Sequence, residues 1–198
     1  MTALWITVGV LAVLLFALGA GLFLLLAMGR LHLDLGWGRS LHALGPVEIR
    51  IGAPRQLVFE IISASYFGRA PQGTEIEVLV RDQDLVVAAH HTAVHFYTAR
   101  TVEAVEFTPP ERVRFTHLTG PVPHAVEEFE LQETDGATNL HYSGEIGIDF
   151  FAIGRIAGRR WVRPQWERAV RDHLVDVKRR AEQRATGPRA RSRGESPD

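Results

Sequence analysis

The chain has no cysteine. That excludes disulfides, thiolate metal sites and a cysteine nucleophile, and it leaves the compartment open. Residues 3–28 contain no charge and no proline. No glycine-rich loop follows a strand-like run, and "GAGLF" lies inside the apolar segment, so no nucleotide cradle is indicated. No nucleophile elbow supports a Ser-His-Asp arrangement. Arginines gather near the C-terminus without an aromatic platform on the strands, which argues against a nucleic-acid reader.

What is there begins with composition. Hydrophobic residues make up 46% and charged residues 23% of 198, enough for a packed core. The length fits one domain plus an additional segment. The net charge of −1 hides an asymmetry. Residues 1–150 hold 9 Lys and Arg against 17 Asp and Glu, a balance of −8; residues 151–198 hold 13 against 6, a balance of +7. A basic end on an acidic body fits an anionic membrane surface, or simply a solvated helix face and tail.

The run "ALWITVGVLAVLLFALGAGLFLLLAM" (3–28) makes a helix of about 39 Å at 1.5 Å per residue, longer than the roughly 30 Å of a bilayer's hydrocarbon core. A secretory signal would carry a positive n-region and a shorter apolar run; here no Lys or Arg precedes Arg30. The expectation is a single-pass transmembrane helix over 3–28, with Trp5 and Trp37 as interfacial anchors. Arg30, Arg39, Arg50 and Arg55 all follow the span, so the positive-inside rule puts the body in the cytoplasm.

Residues 29–45 read as a juxtamembrane linker. "PVEIRI" (46–51) alternates as a strand, and Leu57, Val58, Ile61 and Ile62 then recur at helical spacing after Pro54. From 74 to 150 strand follows strand: 74–81, 85–91, 96–107, 111–118, 124–133 and 138–150, the last two flanking a "TDGA" turn. After 151 the period becomes helical, with Val162, Trp166, Val170, Leu174, Val177 and Ala181 on one face and Pro164 at its start or at a kink. Residues 186–198 lack large apolar residues and read as a disordered basic tail.

The segments "VEIRIGAPRQLVFEIIS", "TVEAVEFTPPERVRFTHLTGPVPHAVEEFEL" and "WERAVRDHLVDVKRRAE" together resemble the START-like, or SRPBCC, superfamily, most closely its polyketide cyclase/dehydrase-type members. The resemblance spans residues 46–185. It implies an α+β helix-grip fold: a curved antiparallel sheet of about seven strands wrapped on a long C-terminal helix, here with an added transmembrane helix. It further implies an apolar cavity for a hydrophobic, lipid-like or polyketide-like molecule. No catalytic motif of the superfamily matches, so no catalytic residue is assigned, and fold alone does not give function.

The stretch "VVAAHHTAVHFY" (86–97) packs three histidines closely. Adjacent His90 and His91 point to opposite faces of a strand and His95 lies across a turn, so no metal site is expected, and no cofactor is implied. Strand parity, counted from Leu85, Val87 and Ala89, turns His91 inward. The same count turns Phe115, His117, Glu127, Phe129 and Tyr142 inward, with Trp166 facing them from the helix. Few polar groups in an apolar hollow is the layout of a ligand site; the alternative is that these residues sit at strand ends near water, and a single bulge would invert any of them. Arg30, Arg179 and Arg180 are the expected contacts to the bilayer surface. Three functions remain open: a membrane-anchored binding domain, a cyclase or dehydratase using acid/base residues in the cavity, and a membrane-tethered interaction module with no ligand. Binding is preferred to catalysis; the ligand's identity and the oligomeric state are not legible.

Overall fold

A computed structural model of the chain describes residues 2–68, 76–94 and 97–187. His95, residues 69–75 and most of the expected tail lie outside them. The first element, α1 (Thr2–Ala27), is an uninterrupted apolar helix, long and apolar enough to cross a membrane, with almost none of its surface covered by the rest of the chain.

The body is one antiparallel sheet of seven strands in the order β1-β7-β6-β5-β4-β3-β2. The strands are β1 (Ser40–Ile51), β2 (Ile76–Arg81), β3 (Leu85–Val94), β4 (Tyr97–Thr108), β5 (Arg112–Thr119), β6 (His124–Thr134) and β7 (Ala137–Ile148). Helix α2 (Arg55–Ser63) follows β1, and α3 (Phe151–Ala157), a π-helical turn (Gly158–Val162) and α4 (Arg163–Thr186) close the chain. The α4 helix packs on β1 and α2. Val170, Leu174, Val177 and Ala181 recur at helical spacing, are buried, and meet an inner sheet face that includes Ile51, Val113, Phe129, Leu131, Leu140 and Ile146. Burying one such Val, Leu or Ile contributes roughly 1.5–3 kcal/mol. This is the expected helix-grip architecture.

Two departures matter. First, β1 begins at Ser40, not 46, so the latter part of the expected linker is sheet: Ser40–Leu44 pair with Ile148–Gly144. Gly45 and Pro46 interrupt the strand's pattern, at a register shift between Leu44 and Val47. On an edge strand a bulge can carry a proline, which has no N–H to give the ladder. Second, the helical region is continuous from α3 into α4. Pro164 cannot donate to residue 160, and its ring crowds that carbonyl. The π-helical turn just before it, with Arg163 N–H donating to Gly158 O, lets the helix continue past the proline.

The register fixes two ends. The starts of β1, β4 and β6 and the ends of β5 and β7 lie together. The chain leaving α1 attaches there: Arg100 N–H donates to Met28 O (3.0 Å), and His32 Nδ1 lies 3.2 Å from Gly120 O. The other end carries Ile51, Ala137 and Arg112, and there α4 finishes: Lys178 Nζ donates to Arg50 O (2.8 Å) and Glu182 Oε1 accepts from Gly52 N–H (2.9 Å).

Candidate functional site

Alternation along β4 places Glu103 on the same face as Val105 and Phe107, inside the sheet's concave side, where it is 7% exposed. A register shift between Val102 and Glu103 leaves Glu103 directly opposite His117 of β5. His117 Nδ1 lies 3.8 Å from Glu103 Oε1, within ion-pair reach but too far for a hydrogen bond; among the described residues neither ring nitrogen of this buried histidine has a hydrogen-bond partner. His90 of β3 approaches from the other side, with Nε2 3.4 Å from Glu103 Oε2. The turn leaving α2 supplies Tyr66, buried, whose hydroxyl is 3.3 Å from His90 Nε2. Burial alone would raise the Glu103 pKa; the neighbouring His117 first, and then His90, outweigh it and hold the carboxyl below its ordinary value. Burial also pushes His90 down, toward the neutral imidazole.

A second carboxyl sits one strand along. Glu127 Oε1 of β6 accepts from the Tyr142 hydroxyl of β7 (2.5 Å) and from Trp166 Nε1–H of α4 (2.7 Å). Burial first, then the charge of Glu103, raises its pKa to about 7, against the two donors. Burial and Glu127 together push the Tyr142 phenol well up, so it remains a donor. Two interior carboxyls thus have their pKa values driven apart, one ionised and one able to carry a proton near neutrality, the usual physical basis of acid/base division of labour.

Of the residues expected to face inward, Phe115, His117, Glu127, Phe129, Tyr142 and Trp166 meet here. Phe115 and Phe129 are 5.6 Å apart edge to face, and Phe129 and Tyr142 are 5.2 Å apart. His91 does not join them. It lies on the outer face, 39% exposed in its side chain, 3.8 Å from Glu77. The inner face of β3 is Val86, Ala88 and His90; Leu85, from which the parity count starts, is exposed. Because "VVAA" is apolar on both faces, alternation could not set its phase. Glu103, His90 and Tyr66 are the members that sequence reasoning missed, although Glu103 sharing a face with Val105 and Phe107 was a usable signal. His173 of α4 marks the rim: it is exposed, with its ring 6.2 Å from that of Phe129.

The basic residues also sort differently. Arg30 is exposed where α1 ends. Arg179 and Arg180 pair with Asp176 on α4, near Lys178 and Glu182 at the end of the sheet remote from α1. They are therefore not placed to meet a bilayer crossed by that helix.

Two hollows among the described residues are on the surface. One, about 490 Å³, is lined by residues 82–85 and 106–108; the other, about 470 Å³, by Arg155, Ile156, Arg159 and Arg160. Between sheet and helix the aromatic rings touch one another. No cluster of metal-ligating side chains occurs among the described residues.

No known family profile matches the chain, and no curated protein matches it in sequence. Solved structures do match in shape. A Thermus thermophilus protein aligns over 74% of this chain and all of its own, with a TM-score of 0.61 at 15% identity. The Zhui aromatase/cyclase from Streptomyces sp. R1128 aligns over 75% of this chain and 98% of its own, with a TM-score of 0.59 at 21% identity. A two-domain aromatase/cyclase of the steffimycin biosynthetic pathway aligns over 75% of this chain and 53% of its own, with a TM-score of 0.62 at 12% identity. Identities this low speak for architecture alone, and the architecture they share with this chain is the helix-grip fold.

Proposed function

We propose that the chain is a single-pass membrane protein whose helix-grip domain, on the cytoplasmic side, binds a hydrophobic small molecule that carries a polar group. The observation that carries this reading is His117: a buried imidazole with neither nitrogen hydrogen-bonded among the described residues, 3.8 Å from an ionised carboxyl, in an interior lined largely by aromatic rings. An unpaired buried donor or acceptor is costly unless something completes it, and a hydroxyl or carbonyl on an apolar ligand would do so. The fold and its aromatase/cyclase neighbours support a ligand of lipid-like or polyketide-like character. The α1 helix would hold the site where such molecules partition.

The full chain, extracted in mild detergent, is expected to carry an apolar adduct in native mass spectrometry. Phe129→Trp, which fills the interior further, is expected to remove it. A chain that never carries an adduct, wild type included, would favour a membrane-tethered interaction module without a ligand.

One observation favours catalysis as a second reading: the separation of the Glu103 and Glu127 pKa values within a single interior. On that reading Glu127 donates a proton to a bound carbonyl or hydroxyl, as in a cyclisation or dehydration. Glu127→Gln would then keep the adduct but leave it chemically unchanged, whereas a binding protein would release the same molecule in both forms.

A further inference from the structure

The strand-to-helix corner after β7 is built in an unusual way. Phe150 and Phe151 both have positive φ, 76° and 51°, a region that costs non-glycine residues on the order of 1 kcal/mol each. The chain leaving α1 holds them there. Asp149 is 2% exposed, and its carboxylate accepts from Leu35 N–H (3.0 Å), Gly36 N–H (2.9 Å) and Arg39 Nε–H (2.7 Å). Phe150 N–H donates to Trp37 O (2.8 Å) and Phe151 N–H to Gly38 O (3.0 Å), with the Trp37 and Phe151 rings edge to face at 5.9 Å. The corner, α3 and the residues emerging from α1 therefore form one unit.

That unit turns its apolar side chains outward. Gly154 and Gly158 are the buried face of α3 and the turn after it. On the opposite face Ile153 is 76% exposed and Ile156 54%, while Trp161 is 60%, Phe151 56% and Trp37 65% exposed. Exposed apolar residues scattered singly are ordinary; five on one corner and the helix that leaves it, two of them tryptophans, are not. The polar residues interleaved with it are Arg155, Arg159 and Arg160, all exposed and lining the hollow of about 470 Å³. Residues 150–166 contain no Asp or Glu, and among the described residues no carboxylate pairs with these three arginines. On α4 Arg163, Arg171, Arg179 and Arg180 are paired and, among the described residues, only Arg168 and Arg184 are not. An apolar face with tryptophans and unpaired arginines at its border has the composition of a segment lying in the plane of a membrane interface.

Position agrees with composition. The patch lies at the end of the sheet where α1 arrives, and seven residues separate Ala27 from Leu35, a reach of at most about 29 Å at 3.6 Å per residue. We propose that the segment from Phe150 to Trp161 lies in the headgroup region of the bilayer that α1 crosses, with Arg155, Arg159 and Arg160 against anionic lipid phosphates. The domain is thereby seated on the membrane by its α1 end instead of swinging on a tether. This rests on the reading of α1 as a membrane span.

The absence of cysteine makes a direct test simple. Single cysteines at positions 14, 153, 156 and 175 of the full chain carry nitroxide labels, and the protein is reconstituted into 3:1 phosphatidylcholine:phosphatidylglycerol vesicles. All four positions are exposed, so labelling leaves the core intact. Collision rates with oxygen and with a water-soluble nickel chelate report depth. Labels at 153 and 156 are expected to favour oxygen over nickel several-fold relative to 175, which lies on α4. A nickel-dominated label at 153 and 156, with position 14 in lipid, would overturn this inference and leave the anchor intact. A nickel-dominated label at position 14 would overturn the anchor itself, and this inference with it. Dipolar broadening at 153 that vanishes on dilution with unlabelled chain would show that a second copy covers the patch, and would also overturn it.

Discussion

His90 Nε2 lies 3.4 Å from Glu103 Oε2, on the concave side of the sheet, while the neighbouring His91 faces Glu77 on the convex side. The pair defines which way β3 is phased, and with it the polar lining of the interior. Glu103 is the charged centre of that lining, and His90 and His117 are what hold it ionised against burial.

Adjacent histidines should therefore behave differently. His90→Ala removes a partner from a buried carboxylate and is expected to cost about 1–3 kcal/mol, seen as a lowered midpoint in denaturant. His91→Ala is expected to fall within about 0.5 kcal/mol of wild type, as for other partly exposed positions. Equal effects at the two positions would mean that β3 is phased the other way.

Glu127 gives a pH dependence of known sign. Its pKa rises on folding from an ordinary carboxyl value to about 7. The folded chain therefore holds the proton more tightly than the unfolded chain. That contribution to stability is complete below about pH 4.5 and is lost as the pH rises through 7. Its size is up to about 3 kcal/mol, from the shift at 1.36 kcal/mol per unit. Melting temperatures between pH 4.5 and 8 are expected to fall for wild type over this window and to flatten in Glu127→Gln. A Gln variant with an unchanged slope would place the titrating group elsewhere.

The architecture was legible in the sequence because period-2 and period-3.6 patterns are both strong here. β5, with Val113 and Phe115 against Arg112 and Arg114, and α4, with Val170, Leu174 and Val177, can be read no other way. What was not legible has physical causes. "VVAA" in β3 is apolar on both faces, so its phase is a tertiary matter. Gly45 and Pro46 interrupt the alternation of β1 at its bulge and hide its first six residues. The contact of Asp149 with residues 35–39 joins positions more than a hundred residues apart, and no local pattern announces it. Arg179 and Arg180 looked free in one dimension; only their pairing with Asp176 and the direction of α4 remove them from the α1 end.

That Asp149 contact carries a prediction of its own. Asp149→Ala leaves Leu35 and Gly36 N–H without an acceptor and Arg39 without its buried partner. The expected cost is about 3 kcal/mol, or roughly 6–12 °C in melting temperature for a domain of this size. Arg39, with burial opposing, holds the Asp149 pKa below its ordinary value. The stabilisation is therefore present above the ordinary aspartate pKa and lost as the pH falls through the folded one. The variant should lack that acid-side decline. A variant as stable as wild type at pH 7 would mean that the segment leaving α1 is not held by this carboxylate.

A last prediction concerns the seat of the π-helical turn on the sheet. A methyl group added at Gly158 would lie 2.3 Å from His42 Nε2, well inside van der Waals contact. That nitrogen is itself buried with no hydrogen-bond partner among the described residues, so packing and not a hydrogen bond confines this edge of the ring. Gly158→Ala is expected to cost about 1–3 kcal/mol, as overpacking does, although alanine is intrinsically the better helix former by roughly 1 kcal/mol. The two effects can be separated in a double-mutant cycle. In a His42→Ala background the clash is gone and only the propensity remains, so Gly158→Ala should become neutral or stabilising. A change of sign between the two backgrounds would establish that the histidine sets the glycine requirement. The same penalty in both backgrounds would shift the cause to the backbone of the turn itself.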